Sequence, residues 1–188
     1  ILPVAGRRGS GGWTPRRLAQ AVPAPQGVPA QAEQIDGLVL LEVAPGDADH
    51  LRIWNELMWR EHPLRNGRLV GRQLRYLIGS AHGWLGGVGF GSSALYLASR
   101  DQWIGWDATQ RAASQAHVIN MTRFLIRDGV RCKNTASHVL GLCARRVGQD
   151  FERRYGVVPW LLETFVDRAR YDGTCYQAAN WQCVGQTK

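Results

Sequence analysis

The residues best placed to do chemistry fall in two short stretches. The first is Arg131-Cys132-Lys133-Asn134-Thr135-Ala136. It lies between His117–Ile126, an apolar run that reads as a long strand, and a segment from Thr135 to Val147 with Ala136, Val139, Leu140 and Cys143 at helical spacing. A helix N-terminus offers an anion free backbone N–H groups and the positive end of its dipole. Arg131 and Lys133 add full charges, while Asn134 and Ala136 are small or tolerant of a left-handed backbone, so a ligand can come close. The second stretch is Pro159–Gly185. Trp160–Val166 has the aromatic and β-branched content of a buried strand, Gly173 marks a turn, and Thr174–Ala179 reads as a short helix carrying Tyr176. Asn180 then takes the left-handed helix stop, and Trp181–Val184 reads as the next strand. Glu163, in the middle of its strand, is either a proton acceptor or half of an ion pair with Arg123 or another basic residue. Asp101 and Asp167 are further carboxylates with a claim to the same role.

The elements that must position these groups begin at Ile35. Leu38–Val43 is a first strand, and Pro45-Gly46-Asp47 turns into a helix from His50 to Trp59 with Leu51, Trp54, Leu57 and Met58 on one side. His62-Pro63 stops it. Arg72–Ile78 and Trp84–Phe90 are the next two strands, the second rich in glycine. Gly86, Gly87, Gly89 and Gly91 are costly there unless backbone or ligand must come near. Leu95–Ser99 is strand-like, and Asp107 caps a helix running through Gln115. After the Thr135–Val147 helix, a second helical patch, Gln149–Tyr155, continues past Gly148. The order predicts a mixed α/β fold, antiparallel early, with a strand–loop–helix–strand crossover later.

Composition narrows the function. The 188 residues carry a net charge of +8, with 23 Lys and Arg against 15 Asp and Glu. That suits DNA or RNA, and equally a small anionic, nucleotide-bearing ligand. No apolar run approaches the ~20 residues that span a membrane, and no membrane partner is expected. Residues 1–34, rich in Gly, Pro, Ala, Gln and Arg, read as a disordered or linker arm, leaving 35–188 as the folded domain. Cys132, Cys143, Cys175 and Cys183 form no C-x-x-C pair and do not interleave with His, so no metal is expected and the thiols read as packed and free in a cytoplasmic setting. Eight tryptophans are many; Trp54, Trp59, Trp103, Trp106 and Trp160 fall inside apolar elements and read as core rather than as base-stacking platforms. No Gly-x-Ser-x-Gly elbow, phosphate-binding Walker loop or dinucleotide fingerprint is present.

The order of elements resembles the GNAT acyltransferase fold. In that fold the loop after the fourth strand has the pattern Arg/Gln-x-x-Gly-x-Gly/Ala and holds the coenzyme A pyrophosphate; Arg131-x-x-Asn134-x-Ala136 matches with Asn for the middle Gly. Its fourth helix ends Tyr-x-x-x-Gly-Phe, matched by Tyr176-Gln-Ala-Ala-Asn180-Trp181. The resemblance implies a coenzyme A thioester as cofactor, held by Arg131, Lys133, Asn134, Thr135 and Ala136. It implies Tyr176 as the acid for the leaving thiolate, and Glu163 or Asp101 as the base. His138 reads as packed or capping. At a closer level the chain from Leu38 onward resembles the DruA domain of the Druantia anti-phage system, relatives of which accompany transposases. The shared blocks are Leu74–Ile78, Arg100–Trp106, Arg123–Ile126, Ala136–Gly141, Leu162–Asp167 and Gly173–Trp181. That family continues past Gln186-Thr187 into a basic segment and a final strand, so a last strand is expected to be missing here. The resemblance implies a defence or transposition setting. Three roles stay open: an acyl-CoA-dependent N-acyltransferase, a nucleic-acid-binding module, and a scaffold in a defence or transposition complex.

Overall fold

The computed structural model describes residues 15–187. Its elements in chain order are β1 (Val39–Glu42), α1 (Ala48–Arg60), β2 (Leu74–Ser80), β3 (Gly83–Ser92), α2 (Ala98–Ile104), α3 (Ala108–Ser114), β4 (Val118–Ile126), α4 (Thr135–Tyr155), β5 (Leu161–Thr164) and α5 (Thr174–Ala178). Single 3-10 turns, Ala32–Gln34 and Gln115–His117, precede β1 and β4. The five strands lie side by side in chain order. The first four pair antiparallel and β5 runs parallel to β4, joined to it by α4 as parallel neighbours require. This is the mixed, mostly antiparallel α/β sheet flanked by helices that the sequence predicts.

Local chemistry starts and stops the helices. The Asp47 side chain accepts from the His50 N–H at the head of α1, and Asp107 forms a reciprocal capping box with Gln110 at the head of α3. On one face of the sheet α1 buries Trp54, Leu57 and Met58 with Leu69, Leu77 and Leu125. On the other, α4 buries Val139, Leu140, Cys143, Val147 and Phe151 over Tyr76, Val88, Phe90 and Met121. The glycines of β3 serve the first face. A Cβ at Gly89 would stand 2.9 Å from the Trp54 ring and 3.0 Å from Leu69, so the bare strand lets α1 and the Pro63–Arg72 connection lie directly on it. The chain's own backbone and side chains come close here.

Five expectations are corrected. Residues 15–34 of the supposed arm pack onto the domain: Val22 and Ala32 are buried, Arg127 donates to the carbonyls of Val22 and Pro23, and Gln31 bridges to Lys133. These contacts are tertiary and leave no local pattern; residues 1–14 of that arm lie outside the described residues. Leu95–Ser99 forms no strand, and α2 begins within it. The Thr135–Val147 helix and the Gln149–Tyr155 patch are one helix, α4, unbroken for 21 residues, with buried residues on both sides of Gly148. No strand forms over Trp181–Val184. Of the five tryptophans assigned to the core only Trp54 is buried: Trp59, Trp103 and Trp160 are exposed and Trp106 is half-buried.

Candidate functional site

The Arg131–Ala136 loop leads from β4 into α4 as expected, and Asn134 adopts the left-handed conformation at φ 64°. No side chain caps α4, so its first amides lack a side-chain acceptor. Arg131 and Lys133 are exposed. The loop is also pinned to the N-terminal segment: Lys133 N–H donates to the Ala30 carbonyl at 2.9 Å and its own carbonyl accepts from Ala32 N–H. Thr135 is buried and its hydroxyl donates to the Cys132 carbonyl.

Tyr176 stands on the same side of the sheet as this loop. Tyr176, Ala179, Val130 and Cys132 all border the core cluster under α4. The Tyr176 ring meets Phe124 of β4 edge-on at 6.2 Å and Trp181 at 5.6 Å. Asn180 holds the predicted left-handed stop at φ 62°. Burial pushes the Tyr176 hydroxyl up to about 12, against a smaller opposing effect of the Thr164 hydroxyl. It therefore keeps its proton at neutral pH.

Between these segments the sheet opens. β4 pairs with β5 only from Val118↔Leu161 to Met121↔Thr164, then continues to Ile126 paired with β3 alone. At that point β4 also carries a bulge. Arg123 pairs with Gly89 and Met121 with Phe90, so Thr122 has no partner in β3. The Thr122 hydroxyl oxygen is buried without a hydrogen-bond partner, whereas the Thr164 hydroxyl donates to the Met121 carbonyl at 2.9 Å and closes the paired portion. Arg123 donates to the Asn66 and Arg68 carbonyls, tying the Pro63–Arg72 connection to the bulged stretch.

The two carboxylates nominated from sequence do come together, around a residue that sequence reasoning overlooked. Arg100, on α2, is buried and donates from Nη1 to Glu163 Oε2 at 3.1 Å and from Nη2 to Asp101 Oδ1 at 2.8 Å. Glu163 Oε1 accepts from Ala94 N–H, and Asp101 Oδ2 is held by Arg111 at 3.2 Å. As placed, both oxygens of each carboxylate are engaged. Glu163 is thus ion-paired, with Arg100 and not Arg123. Nothing local marks Arg100 among so many arginines; its partner Glu163 is 63 residues away. Asn120, opposite Glu163 in the parallel register, buries an Oδ1 with no donor.

Asp167 is exposed and caps its own turn through Ala169 N–H. The two clearest cavities are open depressions at the β1–β2 side of the sheet, and neither reaches the Arg131 loop or Tyr176. Among the described residues no three His, Cys, Asp or Glu side chains gather as metal ligands would, and no helix is long and apolar enough to cross a membrane.

A five-stranded mixed sheet whose one parallel pair parts at the end of β5, with α4 starting from a cationic loop, defines an α/β domain whose sheet opens between two neighbouring strands. Comparison with known families identifies it further: the Druantia protein DruA model matches residues 16–188, and the chain belongs to that family, a component of an anti-phage defence system. No curated protein and no solved structure matches.

Proposed function

We propose that the crevice is an acyl-transfer site of GNAT type, taking an acyl group from a coenzyme A thioester to an amine. The observation that carries this reading is the coincidence at Thr122 of a strand bulge, an orphaned hydroxyl and the end of β4–β5 pairing. A free strand edge accepts an extended amide-bearing chain through backbone hydrogen bonds. The uncapped start of α4, flanked by Arg131, Lys133, Asn134, Thr135 and Ala136, suits a pyrophosphate. The donor set therefore fits the group, although Lys133 N–H is already committed to Ala30. When bound, the thioester supplies an activated acyl carbon. Tyr176, protonated at neutral pH, is positioned by Phe124 and Trp181 as a proton donor. Glu163 and Asp101 serve in this reading as the ion-paired frame, anchored by Arg100, that fixes the closed end of the crevice. The base for the amine would then be a water or another group, freeing neither carboxylate.

Coenzyme A should raise the melting temperature of the full chain, and Arg131→Ala should abolish the rise. Tyr176→Phe should keep the rise while lowering any transfer rate by ~10²-fold or more. Absence of any coenzyme A effect on the wild-type chain ends the reading.

A second reading, nucleic-acid binding, is favoured by the Pro63–Arg72 connection. Arg65, Arg68 and Arg72 are exposed there with no carboxylate partner among the described residues. Loss of DNA or RNA binding with a salt slope reduced by about one per arginine removed would support it. Defence or transposition proteins are the natural partners of either reading. The four free thiols fit a reducing cytoplasm.

A further inference from the structure

We propose that the depression between β1, β2 and the C-terminal turn of α4 is a phosphate-binding site built on Arg75. It lies on the opposite side of the sheet order from the β4–β5 crevice and does not depend on the acyl-transfer reading. The cavity has a volume of about 250 Å³, lined by Arg75 and Arg154 with Gln73, Tyr155, Gly46 and Gly71.

Arg75 is the anomaly that points to a ligand. Its side chain is half-buried, yet no carboxylate lies within ion-pair distance among the described residues, and residues 1–14 contain no acidic side chain. Its compensation is one neutral hydrogen bond, from Nη2 to Gln73 Oε1 at 2.6 Å, and the face of Trp54, 5.1 Å from the guanidinium carbon. Its Nε is buried with no acceptor among the described residues. A cation withdrawn from water without a counter-ion is expensive, and an unmade hydrogen bond adds to the cost. Burial and the neighbouring Arg154 both pull the Arg75 pKa down, with Tyr155 opposing. Arg154 is differently placed: its charge is matched by Glu42 at 3.1 Å, and it also donates to the Gln73 carbonyl. The site therefore holds one uncancelled positive charge on a planar fork and a second, partly matched one beside it.

The shape selects among anions. Gly46, left-handed, leaves its side of the mouth bare, since a Cβ built there would meet nothing within 4 Å, whereas the left-handed Gly71 is closed off by Ser92. The volume falls below the ~300 Å³ at which whole drug-sized ligands begin to be enclosed, so it suits a single group and not an entire nucleotide. The guanidinium fork fits phosphate and carboxylate alike. A phosphate monoester, with about −1.5 to −2 charge at pH 7, matches one free and one half-matched arginine better than a carboxylate does.

The test is thermal unfolding of the full chain at constant ionic strength, titrated with inorganic phosphate, acetate, a 5′-phosphorylated dinucleotide and the same dinucleotide without its phosphate. Phosphate should stabilise wild type saturably, and Arg75→Gln should weaken the apparent affinity at least tenfold. If Arg75→Gln does not fold, Arg75→Lys, which keeps the charge and loses the fork, should still show a several-fold weakening. In wild type the Arg75 Nε–H resonance should shift with the same titration midpoint. Stabilisation by the phosphorylated dinucleotide and not by its unphosphorylated form makes a nucleic-acid end the source; stabilisation by inorganic phosphate alone makes it free phosphate. Equal effects of phosphate and acetate, a phosphate effect unchanged in both variants, or no effect on wild type would overturn the proposal.

Discussion

Strands β2 and β3 and strands β4 and β5 share one sheet but differ in how completely they are enclosed. β2 and β3 are buried along most of their lengths, with α1 and the Pro63–Arg72 connection on one face and α4 on the other. β5 is four residues long, all half-buried, and β4 loses its parallel neighbour after Met121. The antiparallel half thus carries the packing that holds the fold, and the parallel half carries the stretch of strand left without a neighbour on one side. Regions with few buried contacts are where local opening is cheapest and where ligands can be admitted. The end of β4–β5 pairing near Thr122 is tolerable because Trp54, Leu77, Val88 and Phe90 next door have no exposed surface.

The sharpest way to break this comparison is Trp54→Ala. Trp54 has no exposed surface and fills the space over Gly87 and Gly89. Its truncation should cost about 3–5 kcal/mol in a urea melt. A loss under about 1 kcal/mol would mean that the antiparallel half is not the anchor. Arg100→Met comes next. It strands the carboxylate of Glu163 inside the protein, leaves Asp101 with Arg111 alone, and should cost about 3 kcal/mol. Adding Glu163→Gln should restore part of that loss, because the two positions share one interaction. Strict additivity would show the pair to be independent.

His62 gives a pH handle on the seam between the halves, since it opens the connection that Arg123 ties to β4. Burial, with Arg123 adding to it, pulls its pKa down to about 4 from 6.5. Its neutral ring accepts the Leu64 N–H at 3.1 Å. A depressed folded value makes the contribution fully present above pH 6.5. It is lost as the pH falls towards about 4, where the unfolded chain takes up a proton that the folded one refuses. The loss should reach about 2–3 kcal/mol. In His62→Gln the stability curve between pH 6.5 and 4 should be flatter than in wild type. An unchanged slope would place the acid sensitivity elsewhere.

What was legible in the sequence follows from the range of the forces involved. The caps at Asp47 and Asp107 and the left-handed turns at Asn134 and Asn180 were readable because each rests on a residue's own backbone preference or on a partner three residues away. The mixed sheet was readable from the order of apolar runs. Residues 15–34 were misread because Val22 and Ala32 owe their burial to Arg127 and Lys133, more than a hundred residues on. The exposed Trp103 and Trp160 were misread because hydrophobicity says nothing about which side of an element is covered; Trp160 stacks on His117 at 3.8 Å in the open. In the candidate site, the loop before α4 and the short helix carrying Tyr176 were read on the elements that hold them. The Thr122 bulge and the Arg100 pairings were not, since register and ion-pair choice are set by the assembled sheet.

The smallest effect tests how the two halves are joined. α4 begins beside the open crevice, where Cys143 packs in the core that Tyr176 borders, and ends on the antiparallel half. There Arg146 donates to the Leu40 carbonyl, and Asp150 accepts from Tyr76 at 2.8 Å. Gly148 sits in the middle of this bridge, its φ in no left-handed region and with open space where a Cβ would go. A glycine in a helix interior costs about 0.5–1 kcal/mol relative to alanine through backbone entropy alone. Gly148→Ala should therefore stabilise the protein by about that amount and leave coenzyme A and phosphate responses as they are. Were the substitution to stabilise the fold yet alter either response, α4 would be acting as a lever between the two halves, with Gly148 as its flexible point; were it to destabilise, backbone entropy would not be what the glycine costs this helix.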